Sequence, residues 1–439
     1  MKRDIFVQLQ AWKRETKRKP LILMGVRQVG KTTLLKAFGE QEYKQVVYLN
    51  FEAMSSLSAL FDSNLEPAKL LKAIEIETNT SITPGETLLI FDEVQACPRA
   101  LNSLKYFQES ANEYHICAAG SLLGVKLAHT EGFPVGKVHF LHLYPLSFAE
   151  FLEALREEKL RNFIQTLETI EPLPENIHQK LLDYFKIYLF IGGMPEAVVE
   201  YIDSENFDRV RNVQNEIIKA YQLDFSKHAP KEQVIKISLI WDAIPSQLAK
   251  ENKKFLYSLI RKSARAKEFE ESLQWLSEAG LIHKVSNITV PKIPLHAYAI
   301  FDFFKIYLVD VGLLAAMSNL SAKTIIHGDA LFQEFKGSFV ENYIAQELVR
   351  SHQTLYHWTS EGKAELDFVF YHDDQVFPLE VKSGHSQKKK SLRVYADKYK
   401  PSLLIRSSPM NLKQDADILN CPLYLVGELD RLIGLCLAS

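Results

Sequence analysis

The residues best suited to chemistry lie near the start of the chain. Gly25-Val26-Arg27-Gln28-Val29-Gly30-Lys31-Thr32-Thr33 fits G-x-x-x-x-G-K-[ST] at every defined position. Such a loop brings backbone N–H groups against phosphate oxygens, and its glycines permit that approach. The helix that follows adds partial positive charge at its N-terminus. In this pattern Gly25, Arg27, Gln28, Val29, Gly30, Lys31, Thr32 and Thr33 surround the phosphates. Lys31 reaches the β- and γ-phosphates, and the Thr32 hydroxyl holds Mg²⁺. ATP with Mg²⁺ is the expected ligand.

A second group completes that chemistry. The apolar run Thr87-Leu88-Leu89-Ile90-Phe91 ends in Asp92-Glu93. Asp92 is expected to bind the Mg²⁺, directly or through water, and Glu93 to polarise the attacking water. The run His115-Ile116-Cys117-Ala118-Ala119-Gly120 carries Ser121 at its tip. Ser121 reads two ways, as a sensor of the γ-phosphate or as a plain helix N-cap.

A third group lies far downstream. Residues two apart on a strand share a face, so Glu365 goes with Asp367 and Glu380 with Lys382. Asp367, twelve residues, then Glu380-Val381-Lys382 is the D-x(n)-E-x-K pattern of PD-(D/E)xK nucleases. In that chemistry the two carboxylates hold a divalent metal, and metal and lysine together activate water. Glu341 is offered from a helix expected over Phe335–Arg350. Three readings stay open here: an active nuclease, a nuclease-like fold without catalysis, and an unrelated charged hairpin.

These residues need elements to position them. Pro20–Met24, Val46–Asn50, Thr87–Phe91, His115–Gly120 and Val138–Leu141 read as strands, with helical stretches between them. Repeated β-α units imply a parallel, three-layer sheet with its ligand at the carboxyl ends of the strands. Residues 147–226 have helical periodicity and read as a lid. Helices over Gln233–Ile244, Lys253–Lys262 and Lys267–Glu278 precede a hairpin of Leu281–Val285 with Lys305–Val309. Three helices and a hairpin suggest a winged helix-turn-helix. Its basic cluster, Lys250, Lys253, Lys254, Arg261, Lys262, Arg265 and Lys267, suits DNA phosphates. Glu268, Glu270, Glu271 and Glu278 on the presumed recognition helix instead favour a protein-docking or structural role. In the last third, strands over Glu365–Phe370 and Val376–Lys382 form a hairpin around His372-Asp373-Asp374. Lys388, Lys389, Lys390 and Arg393 then open a helix along which DNA phosphates could lie, or a solvated face.

Composition sets the bounds. The chain has 439 residues, 47% hydrophobic and 24% charged, which describes a globular protein of about three domains. A net charge of −2 does not by itself point to nucleic acid. Cys97, Cys117, Cys421 and Cys436 have no metal-ligand spacing and suit a reducing cytosol. The basic, amphipathic N-terminus lacks a signal peptide's apolar core, and no uncharged run approaches a membrane span. A cytoplasmic protein without membrane contact is expected.

Several motifs together resemble one family of prokaryotic AAA-type ATPases with a C-terminal domain of unknown function similar to nucleases. They are the phosphate loop, Asp92-Glu93-Val94-Gln95, Gly120-Ser121-Leu122-Leu123, Tyr144-Pro145-Leu146-Ser147-Phe148-Ala149-Glu150-Phe151 and Gly192-Gly193-Met194-Pro195-Glu196-Ala197. The resemblance implies an AAA-type P-loop core, placed over 1–146, and a restriction-endonuclease-like α/β domain, placed over 326–439; between them the element pattern puts a helical lid over 147–230 and a winged helix over 231–325. It implies an ATPase whose nucleotide state controls the C-terminal domain, with DNA as a candidate ligand. The rival is a slowly hydrolysing switch that recruits protein partners or a second copy of itself. In related signal-transduction ATPases a Gly-x-Pro proline sits near the adenine, and Gly193-Met194-Pro195 matches that pattern. The family usually has Gly-Arg where this chain has Gly136-Lys137. Lysine is a poor copy of an arginine finger, because a point charge makes no bidentate contact. Arg27, Arg99, Lys137 or a residue from a second subunit remain the candidates for that role.

Overall fold

A computed structural model describes residues 1–54, 56–121, 136–250, 254–327, 333–352, 354–360, 364–384 and 390–438. They form two compact units. One holds residues 2–144 with 278–280, and the other holds residue 1, 145–277 and 281–439. Leu122, Leu123, Lys253, Lys388 and Lys389, named above, lie outside the described residues.

The first unit is built on β1 (Leu21–Met24), β2 (Gln45–Asn50), β3 (Thr87–Asp92), β4 (His115–Ala119) and β5 (His139–His142). All pairings are parallel, in the order β2-β3-β4-β1-β5. The order matters for the site. β4 lies between β1 and β3, so Ser121 follows the strand that separates the phosphate loop from Asp92. Neighbouring strands are about 4.8 Å apart, so side chains of ordinary length bridge those ends. β3 and β4 are buried along their whole length, as continuous apolar runs of a doubly covered parallel sheet are. The flanking helices are α1 (Phe6–Arg14), α2 (Lys31–Glu42), α3 (Ser56–Ser63), α4 (Pro67–Thr78) and α5 (Pro98–Ser110). Phe51, Phe61 and Phe91 meet edge to face in the core between sheet and helices.

The second unit opens with helices α6 (Phe148–Ala154), α7 (Glu158–Gln165), α8 (Glu175–Ile191), α9 (Pro195–Ser204) and α10 (Phe207–His228). Its eight-stranded sheet runs β12-β13-β11-β10-β9-β8-β6-β7. The strands are β6 (Ile282–Ile288), β7 (Ala299–Leu308), β8 (Tyr356–Ser360), β9 (Ala364–His372), β10 (Gln375–Val381), β11 (Leu404–Ser408), β12 (Lys413–Asp415) and β13 (Ile418–Pro422). The two expected hairpins form: Val285 pairs with Lys305, and His372 with Gln375. β6 also pairs in parallel with β8, Ser286 opposite Tyr356. The β6–β7 hairpin therefore edges the same sheet as the C-terminal strands.

Three helices precede that hairpin: α11 (Lys231–Leu248), α12 (Tyr257–Ile260) and α13 (Ala266–Glu278). The middle one is one turn long, not the ten residues its periodicity suggests. Tertiary hydrogen bonds win over local propensity there. The Phe255 N–H donates to Phe304 O at 2.9 Å, and Gln247 exchanges two bonds of 2.8 Å with the Leu256 backbone. Leu256 is thereby held extended. Further on come α14 (Val311–Met317), α15 (Ala322–His327), α16 (Gln333–Ser351), α17 (Lys390–Tyr399) and α18 (Leu429–Ala438). Ser147 and Glu150 cap α6 reciprocally, and Arg350 of α16 donates to Pro145 O at 2.6 Å and to Glu150 Oε2 at 3.1 Å. All four cysteines are buried and unbridged. Among the described residues no helix is long and apolar enough to cross a membrane.

Candidate functional site

β1 delivers the chain into a loop whose backbone no ordinary residue would adopt freely. Gly25 has φ +147°, Gln28 +62° and Gly30 +96°. A Cβ on Gly25 would also stand 2.3 Å from Leu143 O, so the position requires glycine twice over. Val29 is fully buried, and its carbonyl accepts from the Arg3 guanidinium at 3.1 Å. Arg3 also donates to Tyr144 O, so the N-terminus pins the loop to the chain beyond β5. Arg27, Gln28 and Thr33 are exposed on the loop and the first turn of α2.

Lys31 begins α2 and is buried. Its Nζ donates to Gly25 O at 2.8 Å and Val26 O at 2.9 Å. Burial pulls this amine down to about 8, against the opposing pull of Glu93 and Asp92. The ammonium is thus held over the loop by weak acceptors that a phosphate oxygen can displace.

Thr32 and Asp92 come from different elements and meet. The Thr32 hydroxyl donates to Asp92 Oδ2 at 2.8 Å. The same oxygen accepts from Tyr48 OH at 2.7 Å, and Asn50 Nδ2 donates to Tyr48 at 3.2 Å. Burial and Asp92 push the Tyr48 phenol up to about 12, so it acts as a fixed donor; only Asn50 opposes the shift. A hydroxyl and one carboxylate are the usual protein share of an Mg²⁺–nucleotide site, where phosphates and waters complete the octahedron. This pair fits that ion.

Glu93 follows in the left-handed region, φ 50°. The turn aims its side chain at the tip of β4. Glu93 Oε2 accepts from Gln95 Nε2 and, at 3.4 Å, from Ser121 Oγ. Gln95 Nε2 lies 3.3 Å from Ser121 Oγ and closes the triangle. Lys31, Thr32, Asp92, Glu93 and Ser121 are therefore gathered at one end of the sheet.

Two of the candidates for a finger, Lys137 and Arg99, are engaged elsewhere. Lys137 pairs with Glu109 at 3.1 Å. Arg99 donates to Phe61 O at 2.8 Å and lies 3.6 Å from Asp62, tying α5 to α3. Pro195 is the first residue of α9, in the second unit. The glycines before it are fixed by packing. A Cβ on Gly193 would stand 2.2 Å from Leu146 O, and one on Gly192 2.1 Å from Asp310 Oδ1.

Glu341, Glu365 and Asp367 also gather, around a strand residue that the sequence reading gave no role. Lys305, on β7, is 1% exposed, with Nζ 2.5 Å from Glu365 Oε1 and 3.9 Å from Asp367 Oδ1. Burial alone would lower this amine, but Glu341, Asp367 and Glu365 outweigh it and hold it above its ordinary value. Tyr307 OH donates to Glu341 Oε2 at 3.2 Å, and Lys382 Nζ lies 2.8 Å from Glu380 Oε1.

Sequence reasoning missed Tyr48, Gln95 and Lys305. Gln95 stood beside the acidic pair without a role. Lys305 had a signal: a lone charge inside the apolar run Phe303-Phe304-Lys305-Ile306-Tyr307-Leu308, where burial demands a partner. For Tyr48 no sequence signal distinguishes it from other strand tyrosines.

Comparison with known families follows this geometry. Residues 17–152 match the family model of an AAA domain. Every motif of the first site lies within that match, and the all-parallel sheet is that of a P-loop NTPase. Residues 182–324 match a domain of unknown function (DUF8612), and 336–424 match another (DUF4143). No curated protein matches the chain. Among solved structures the chain is similar to the Walker-type ATPase PABY2304 of Pyrococcus abyssi. The two share 16% identity over 71% of this chain and 94% of that one, with a TM-score of 0.43. It is also similar to the ORC1 protein of Aeropyrum pernix in complex with DNA (11% identity, 72% and 90% covered, TM-score 0.30). A third is Cdc6p of Pyrobaculum aerophilum (14%, 73% and 93%, 0.26).

Proposed function

We propose that the first unit binds and hydrolyses Mg²⁺-ATP, and that its nucleotide state controls the second unit. The reading rests on one observation: Thr32 and Asp92 share a hydrogen bond of 2.8 Å while Glu93 stands beside them, held by Gln95 and Ser121. The loop backbone from Gln28 to Thr32 takes the phosphates, and Lys31 exchanges its two carbonyl acceptors for β- and γ-phosphate oxygens. Thr32 and Asp92 hold the Mg²⁺, which when bound neutralises charge on those oxygens. Glu93 orients water and accepts its proton, with Gln95 and Ser121 fixing the carboxylate. The second unit is read as a helical lid, a winged helix and a nuclease-like domain, with DNA as the proposed ligand.

A second reading, a slow switch that recruits protein partners or a second copy, is favoured by the Lys137–Glu109 pair. That pair leaves the usual finger position with a lysine turned to a carboxylate 3.1 Å away. Steady-state phosphate release, with and without duplex DNA, separates the two. Turnover that DNA stimulates supports the first reading. Slow release unchanged by DNA supports the second, and absence of both ATP binding and release overturns the site.

A further inference from the structure

The D-x(n)-E-x-K resemblance implies a divalent metal between Asp367 and Glu380. The donor set does not fit that ion. Asp367 Oδ2 accepts the Val381 N–H at 2.8 Å. Asp367 Oδ1 and Glu365 Oε1 face the Lys305 ammonium, at 3.9 Å and 2.5 Å. Glu380 Oε1 faces Lys382 at 2.8 Å, and Glu341 Oε2 accepts from Tyr307. Glu380 Oε2 is buried without a hydrogen-bond partner, but one oxygen does not make a Mg²⁺ or Mn²⁺ site. Among the described residues no three His, Cys, Asp or Glu side chains are arranged to hold a metal.

We propose that Lys305 is the resident cation of this cluster, standing where a nuclease would hold its metal. The argument is electrostatic. Carboxylates crowded on one sheet face repel each other unless a cation lies among them. Lys305 supplies that cation from β7, a strand that the β6–β7 hairpin sets at the edge of the same sheet. The ammonium is tethered, so it meets the carboxylates without the entropic cost of capturing a dissolved ion. A metal that displaced it would leave a buried ammonium unpaired, which is costly. The cluster then fastens the hairpin to the C-terminal strands without metal chemistry. This inference is independent of the ATP site.

The test measures Mn²⁺ binding to the full chain by electron paramagnetic resonance, without nucleotide. All samples carry Asp92→Asn to silence the first site. The parent and its Asp367→Asn derivative should bind Mn²⁺ alike. Lys305→Met should gain one Mn²⁺ per chain at least tenfold tighter, and adding Asp367→Asn should remove it. Binding in the parent that Asp367→Asn abolishes overturns the proposal. So does a folded Lys305→Met chain that gains no Mn²⁺. Where Lys305→Met does not fold, the comparison of parent with Asp367→Asn decides alone.

Discussion

Tyr48 holds Asp92 from the neighbouring strand: its hydroxyl lies 2.7 Å from the Oδ2 that also accepts from Thr32. β2 and β3 run in parallel register, with Asn50 opposite Asp92, and this brings the phenol to the carboxylate. One oxygen therefore has two donors, one from the loop helix and one from the sheet. Removing the sheet donor alone should loosen Asp92 without touching the loop. Tyr48→Phe keeps the ring, over which Lys36 lies at 3.7 Å, and removes only the hydroxyl. The Mg²⁺ concentration giving half-maximal ATPase rate should rise roughly tenfold, since a hydrogen bond to a charged group is worth about 1.5–3 kcal/mol. The rate at saturating Mg²⁺ should stay near wild type. An unchanged Mg²⁺ profile would show that Tyr48 does not position Asp92.

Lys31 and Glu93 should separate binding from hydrolysis. Lys31→Ala loses the charge-assisted contact to phosphate and should weaken ATP by roughly tenfold to a hundredfold. Glu93→Gln keeps size and shape but cannot accept the proton, so binding persists while turnover falls by roughly 10²–10⁴. Fluorescent-nucleotide titration and phosphate release read the two quantities. A Glu93→Gln enzyme at the wild-type rate removes Glu93 as the base.

ATP affinity should fall in alkaline solution. In the free protein burial sets the Lys31 amine at about 8, and bound phosphates raise it. Binding therefore takes up a proton once the pH exceeds that value, so affinity is constant below it and declines above it. From pH 7 to pH 9 the dissociation constant should rise about tenfold. Titrations across that range test it, and a flat profile would mean that Lys31 stays fully charged in the free loop.

The basic stretch before β6 should give DNA binding a steep salt dependence if it contacts phosphates. Of that cluster only Lys253 lies outside the described residues, and Lys254 lies 4.5 Å over the Phe303 ring. Reversing the charge of Arg261 and Lys262 should flatten the slope of log K against log salt by roughly 2. Filter binding at several salt concentrations measures it. Binding insensitive to salt leaves this element to protein contacts.

Gly193→Ala probes the tight turn before Pro195. Its Cβ would stand 2.2 Å from Leu146 O, a backbone atom, so the turn must shift. The cost should be at least about 1–3 kcal/mol, seen as a lower melting temperature. Unchanged stability would mean that residues 146 and 193 part without penalty.

Much of the proposed ATP site was legible in the sequence because it is local. The loop's glycines, Lys31 and Thr32 act through the backbone they sit in, and Asp92-Glu93 ends a strand recognisable by its apolar run. Periodicity likewise gave the five strands of the first sheet and both hairpins of the second. What the sequence could not give depends on which strands become neighbours. Only the order β2-β3-β4-β1-β5 puts Ser121 between the loop and Glu93, and only the β2–β3 register brings Tyr48 to Asp92. The one-turn α12 has a related cause: Phe304, forty-nine residues on, takes the Phe255 N–H, and Gln247 holds Leu256 extended. The sharpest case is Lys305. Sixty residues separate it from Glu365, and only the fold joins their charges within 2.5 Å. Local patterns set which residues can do chemistry; long-range pairing decides which charges meet, and so whether carboxylates face a metal or a lysine.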